Sequence, residues 1–128
     1  TDYSDKLNSW RKKEFLDDIS QLIVEIERSG VTKKVYRKRI AGLVQDRQIK
    51  SYTDSRTGKP KSLLIFNLND ETGTIKCVAF DNVAAKYAHL VTENSIIYVL
   101  CTGKLDDFGP SCEVSDIYVF SESDRNRT

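Results

Sequence analysis

The chain has 128 residues, 39% of them hydrophobic and 30% charged, and a formal net charge of +1. A chain of this size hides roughly two thirds of its unfolded surface on folding, which suffices for one domain and a small appendage without a covalent staple. The composition argues against a disordered tail and a collagen-like repeat. No apolar run approaches the ~20 residues of a membrane helix and no signal-peptide pattern opens the chain. The chain begins at Thr1 rather than Met, as an excerpt of a longer protein would.

The small net charge conceals an uneven distribution. Residues 1–30 carry five basic and seven acidic side chains, a net −2; residues 31–62 carry ten and two, a net +8; residues 63–128 carry five and ten, a net −5. A +8 stretch creates a local positive field suited to a polyanion, with a solvated basic loop as the alternative.

Thr1 to Asn8 is polar and reads as loose. From Ser9 to Ser29 the period is helical: Phe15, Ile19, Leu22, Ile23 and Ile26 fall on one face. Ser9 suits the N-cap, Arg28 the last turn and Gly30 the stop, whereas Lys12 and Lys13 oppose the helix dipole at the start. After Gly30 the pattern turns to strands. A long first strand runs through Ile40–Val44 to Tyr52, and Gly42 inside it predicts a bulge or a sharp barrel corner. Thr53 to Lys61 is a polar loop. Leu64, Phe66 and Leu68 alternate in a second strand, Asp70–Gly73 turns, and Thr74–Phe80 forms a third strand. In that strand Ile75, Cys77 and Ala79 face inward, and Lys76, Val78 and Phe80 outward. Asp81 caps a short helix to Leu90, with Val83, Tyr87 and Leu90 on one face. Ser95–Leu105 and Ser111–Phe120 are strands four and five around an Asp106–Pro110 turn, and the tail 121–128 is polar. The domain reading is therefore an N-terminal helical extension at 1–30, a barrel at 31–120 and a polar tail at 121–128.

The fold class is mostly β. Five strands with a helix between the third and fourth is the layout of the oligonucleotide-binding (OB) barrel, whose ligand groove lies over strands 2 and 3 between the 1–2 and 4–5 loops. Holding a single strand requires a basic track for phosphates and aromatic faces for bases. Lys50, Arg56, Lys59 and Lys61 sit at or in the 1–2 loop, Lys76 and Phe80 share the outer face of strand 3, Phe108 occupies the tip of the 4–5 loop, and Tyr52 ends strand 1. Each has an ordinary alternative: Phe80 in the core, Phe108 packed under its turn, Tyr52 as a plain strand aromatic, Lys76 as a solvent lysine. Their convergence on one barrel surface favours the binding role.

Catalysis and cofactors find little support. His89 stands alone, the acidic pairs Asp70–Glu71 and Asp106–Asp107 suit turns rather than a calcium loop, and no phosphate-loop, nucleophile-elbow or zinc-helix motif is present. Cys77, Cys101 and Cys112 are odd in number and lack a CxxC pair, so they read as free thiols in a reducing compartment rather than metal ligands. The reading is non-enzymatic, with no cofactor and no metal.

Ile49–Tyr52, the loop TDSRTGK, DETGTIKCVAF from Asp70 to Phe80, and AKY from Ala85 to Tyr87 resemble the single-stranded-DNA-binding OB domains of the replication protein A large subunit, over about residues 36–120. Asp107–Gly109 is similar to the 4–5 loop of that subunit's second DNA-binding domain. The resemblance implies that Phe80 and Phe108 are the stacking aromatics, that Lys50 and Lys76 contact phosphate or base, and that Arg56 lies in a mobile loop that closes over the strand. Lys stands at 50 and 76 where Arg is more familiar, which removes planar stacking and bidentate bonding. Ser111 and Cys112 stand where the first DNA-binding domain keeps its second aromatic. The resemblance further implies single-stranded DNA as partner, further OB domains on the same chain or other subunits, no membrane partner, a nuclear location, and work in replication or repair, or at telomeres and in meiosis in paralogues. The alternative is an assembly domain that kept the barrel and uses the helix at 9–29 to bind a protein; single-stranded RNA is a third ligand that the sequence leaves open.

Overall fold

The computed structural model describes residues 17–119 together with Asp5 and Ser9. The expectations for Phe15, Lys12, Lys13, Phe120, the tail at 121–128 and most of the first sixteen residues lie outside the described residues. In chain order the elements are α1 (Ile19–Ser29), β1 (Val35–Thr53), β2 (Pro60–Asn69), β3 (Thr74–Phe80), α2 (Asp81–Tyr87), β4 (Ile96–Asp106) and β5 (Gly109–Val119). The strands close a barrel in the order β1-β2-β3-β5-β4, with β3 and β5 parallel and all other neighbours antiparallel. This is the five-stranded fold expected from the strand pattern, with the short helix after β3.

β1 is 19 residues long, roughly 60 Å if straight, and must bend to stay on a small barrel. Its first half pairs with β4 and its second with β2, and Leu43 faces both Ile96 and Asn69 where it changes partner. Gly42 sits at this corner, where a Cβ would lie 2.7 Å from the Asn69 carbonyl oxygen. Of the two features expected of Gly42 it is thus the barrel corner, with a close approach of two backbones, and the bulges are elsewhere. The register slips occur between Val35 and Lys38 and between Gln45 and Gln48, at Arg37 and Asp46, both with φ of 56°.

β3 keeps the predicted alternation: Ile75, Cys77 and Ala79 are core, and Lys76 and Phe80 are exposed, although Val78 is buried on the outer side. All three cysteines are free and buried. The Cys112 side chain beside Cys101, and then burial, push the Cys101 thiol far above its ordinary value, which keeps it protonated and unreactive.

The N-terminal helix differs from its expected extent. Asp17 lies in an extended bridge beside Ile40, and α1 starts only at Ile19, after Asp18 with φ −75° and ψ 143°. The Asp70 carboxylate receives the Ile19 N–H at 3.1 Å, and the Thr72 hydroxyl receives the Ser20 N–H at 3.1 Å. The helix start is therefore capped by the β2–β3 turn, a partner far away in sequence. Ile19, Leu22 and Ile26 are fully buried within the barrel core cluster. Gly30, at φ 79°, ends α1 and donates its N–H to the Ile26 carbonyl. α2 is shorter than predicted, Asp81 is its first residue rather than its cap, and Leu90 lies beyond it and is exposed. Val83 and Tyr87 pack against the core as expected, and the Tyr87 hydroxyl donates to Asp116 at 2.5 Å. No helix among the described residues is long and apolar enough to cross a membrane.

Candidate nucleic-acid interface

The outer face of β2 and β3 forms the floor of the candidate site. Antiparallel register sets Phe80 opposite Leu63, and Leu63 opposite Lys50, so Lys50, Leu63 and Phe80 form one row across three strands. Two residues along β1 from Lys50, Tyr52 shares this face and meets the Phe80 ring edge-on, with centroids 6.4 Å apart and planes at 89°. Tyr52 is half-buried, and Phe80 keeps 38% of its surface exposed, so neither is sealed into the core. From the other side the Lys104 ammonium sits 6.0 Å from the Phe80 ring centroid. Lys104 was not singled out in the sequence. Its position one residue after the core-facing Gly103 marks it as outward, but only the β4–β5 register brings it to the groove.

Phe108 stands at the tip of a two-residue turn, since Asp106 pairs with Gly109. Strand β5 thus starts two residues before the predicted Ser111, and the Asp106 carboxylate receives the Phe108 N–H at 2.9 Å. The residue is 95% exposed, so the alternative of packing under its own turn does not hold. Because β3 and β5 are parallel with Lys76 beside Ser111, Phe80 lies four residues beyond that rung and Phe108 three residues before it. In backbone register the two positions lie on either side of the rung that holds Lys76 and Lys104.

The basic residues divide into two kinds. Lys50, Arg56, Lys59 and Lys76 are exposed. In the 1–2 loop, Asp54 receives the Arg56 N–H at 2.9 Å and the Thr57 hydroxyl receives the Lys59 N–H at 3.3 Å, which shapes the backbone and leaves both cationic ends outward. Lys61 is different. It lies in β2, which begins at Pro60 rather than after the loop, and its ammonium pairs with Asp54 at 3.2 Å and Asp81 at 3.3 Å. Those two carboxylates raise the Lys61 pKa, and the Arg56 amide followed by Lys61 lowers that of Asp54. Lys61 therefore latches the 1–2 loop to the start of α2, and its charge is already answered. Arg47, from the same basic stretch, is consumed likewise: its side chain donates to the carbonyls of Val91 at 2.5 Å and Ala88 at 3.0 Å behind α2.

Comparison with known proteins agrees with this architecture. The family described as the OB-fold nucleic acid binding domain matches residues 38–120. No curated protein matches the chain in sequence. Among solved structures, the second OB-fold domain of replication protein A from Methanococcus maripaludis superposes with a TM-score of 0.56 at 21% identity, covering 66% of this chain and 84% of that one. A replication protein A heterotrimer bound to single-stranded DNA gives a TM-score of 0.59 at 17% identity, covering 70% of this chain and 23% of that one. The OB domain of Ta0387 from Thermoplasma acidophilum gives 0.58 at 15% identity, covering 83% and 87%. At these identities the structural likeness establishes the fold alone.

Proposed function

This chain belongs to the family of OB-fold nucleic acid binding domains, and from that membership we propose that it is a module that holds single-stranded DNA. The observation that carries the reading is Phe108, a residue with 95% of its surface in water at the tip of the β4–β5 hairpin. A free Phe there contributes nothing to folding, and its hairpin adjoins the strands whose outer face holds Phe80, Tyr52 and the exposed lysines Lys50 and Lys76. Bases stack on Phe80 and Phe108 as successive platforms along the strand. Lys50, Arg56, Lys59 and Lys76 neutralise phosphates and release counterions.

The finer reading is a DNA-binding domain of a replication protein A large-subunit relative that works beside further OB domains. It rests on Asp70–Phe80 and on the loop Asp107–Gly109. The assembly-domain alternative depended on a helix face left over by the barrel. In the described part of that helix Ile19, Leu22 and Ile26 turn into the core, which weighs against this motive, while the acidic remainder of the chain still speaks for it.

The test is Phe108→Ala, titrated against a labelled oligo-dT strand by fluorescence anisotropy, with the ribose strand of matching length as comparator. Loss of one base stack, about 1–3 kcal/mol, weakens DNA binding by roughly 5- to 150-fold. The folding midpoint stays unchanged, because the ring buries nothing. Unaltered affinity would remove the proposal; tighter binding of the ribose strand would reassign the ligand to RNA.

A further inference from the structure

Ser111 opens the outer face of β5. Cys112 and Val114 are buried toward the core, so the alternation sends Ser111 and Glu113 outward. Yet Ser111 is only 4% exposed, and among the described residues its Oγ is a buried polar atom with no hydrogen-bond partner. Buried hydroxyls are normally satisfied, so an orphan on a ligand-facing wall needs an explanation.

The register supplies the surroundings. Ser111 has Lys76 of β3 on one side and Lys104 of β4 on the other. At one strand spacing each, the lysine backbones stand about 10 Å apart with the hydroxyl midway. Lysine stems are long enough to cover a serine on a neighbouring strand. Neither lysine has an ion pair among the described residues, and the Lys104 ammonium instead leans 6.0 Å from the Phe80 ring. The register thus flanks one buried donor with two lysines that lack an ion pair among the described residues. Glu113, the next outward residue, is beside Val78 and Thr102 and confines any anion to the Ser111 end of the strand.

We propose that Ser111, Lys76 and Lys104 form a seat for one phosphodiester of the bound strand, with the Ser111 hydroxyl as the donor that fixes its position. This rests on the nucleic-acid reading above and deepens it. A base arriving on Phe80 displaces the Lys104 ammonium from the ring. The freed ammonium turns to the neighbouring phosphate, and its stem uncovers the hydroxyl, which donates to a non-bridging oxygen. The seat sets the register of the strand between Phe80 and Phe108.

The experiment uses the full 128-residue chain and a dT strand trimmed to the shortest length that retains binding. A single neutral methylphosphonate linkage is stepped along the strand, and affinities are compared for the unaltered chain and Ser111→Ala, with Lys76→Gln and Lys104→Gln alongside. In the unaltered chain one linkage stands out when neutralised. In Ser111→Ala binding falls about tenfold, equivalent to about 1.4 kcal/mol, and that linkage loses its distinction, while the thermal midpoint does not fall because an unsatisfied hydroxyl has been removed. Each lysine substitution reduces the salt slope by about 0.7. Should Ser111→Ala match the unaltered chain at every linkage, or weaken all linkages alike, the seat is refuted. Should the unaltered chain fail to bind the unmodified strand at all, the functional reading falls first, and the two failures are distinguishable.

Discussion

Ile26 and Gly103 make the closure of the barrel by α1 a quantitative matter. A Cβ placed on Gly103 would lie 2.6 Å from both Cγ1 and Cδ1 of Ile26 and 3.5 Å from the Val35 Cβ. Gly103 has no positive φ, so the glycine is there for space rather than for backbone freedom. Ile26→Ala removes three carbons from a fully buried site and is expected to cost about 2–5 kcal/mol. Gly103→Ala drives a methyl into Ile26 and costs about 1–3 kcal/mol by overpacking. In the double variant the methyl on residue 103 enters the space that Ile26 has vacated, at ordinary contact distance from Val35. The double variant is then less destabilised than the two singles together, with a coupling of about 1–3 kcal/mol. Urea unfolding followed by circular dichroism on all three variants measures it, provided the m-values agree. Additivity within about 0.5 kcal/mol would refute the argument.

The same contact bears on truncation. Ile19, Leu22 and Ile26 are fully buried, and each contributes about 1.5–3 kcal/mol by burial. Together they supply about 5–9 kcal/mol of a total that for most domains is about 5–15 kcal/mol. A fragment starting at residue 31 is expected to lose the fold, so any partner lost with it would report unfolding rather than an interface.

Asp70 is the node that joins α1 to the β2–β3 turn, receiving the N–H groups of Ile19, Thr72 and Gly73 at 3.1, 2.7 and 3.0 Å. Asp70→Ala orphans these donors and is expected to lower stability by about 2–3 kcal/mol in the same unfolding assay, whereas a surface acidic substitution such as Asp107→Ala changes it by less than about 0.5 kcal/mol. Tyr87 has its pKa raised by the hydrogen bond to Asp116 and then by burial, so the protonated phenol is favoured in the folded state. Its contribution is complete below the unfolded tyrosine value of about 10 and is lost as pH rises through the folded value. Tyr87→Phe should therefore cost about 1 kcal/mol at neutral pH and lose less stability than the unaltered chain between neutral and strongly alkaline pH; parallel pH profiles for the two would count against it.

Periodicity made the strand order and the apolar face of α1 legible, because alternation and the 3.6-residue repeat are local properties. The misread features depend on distant partners. Phe15 through Ile26 reads as one periodic run, but Asp17 is held extended beside Ile40, and the cap of the helix comes from Asp70 and Thr72. Pro60 looks like a loop residue, yet it opens β2 opposite Thr53, where the missing N–H costs little at a strand end. Gly42 announced either a bulge or a barrel corner in β1, and the change of partner at Leu43 beside it, with the Asn69 carbonyl closing on it, makes it the corner. In the candidate site, Phe80, Tyr52 and Phe108 were visible as aromatics at strand ends and a turn tip. Lys104 and the orphaned hydroxyl of Ser111 became visible only once β5 was threaded between β3 and β4.

The charge arithmetic shows why residue counts along the chain overstate the groove. The +8 segment spends Arg47 on the carbonyls behind α2, Lys38 on Glu25 at 2.9 Å, and Lys61 on Asp54 and Asp81. Lys33, Lys34, Arg37 and Arg39 are exposed at or before the first half of β1, the half that pairs with β4, away from the β2–β3 face. What remains on the groove side is Lys50, Arg56 and Lys59, and the site borrows Lys76 and Lys104 from the acidic part of the chain. On the proposed reading these five cations set a ceiling of about −3.5 on the slope of log affinity against log salt for a single strand, at about 0.7 per neutralised phosphate. Titration of a short oligo-dT strand from about 50 to 200 mM salt reads this directly, as a loss of at most about a hundredfold. A slope near −6 would mean that the four cations around the start of β1 also engage the strand, and the bound path would then have to leave the β2–β3 face and wrap over β4.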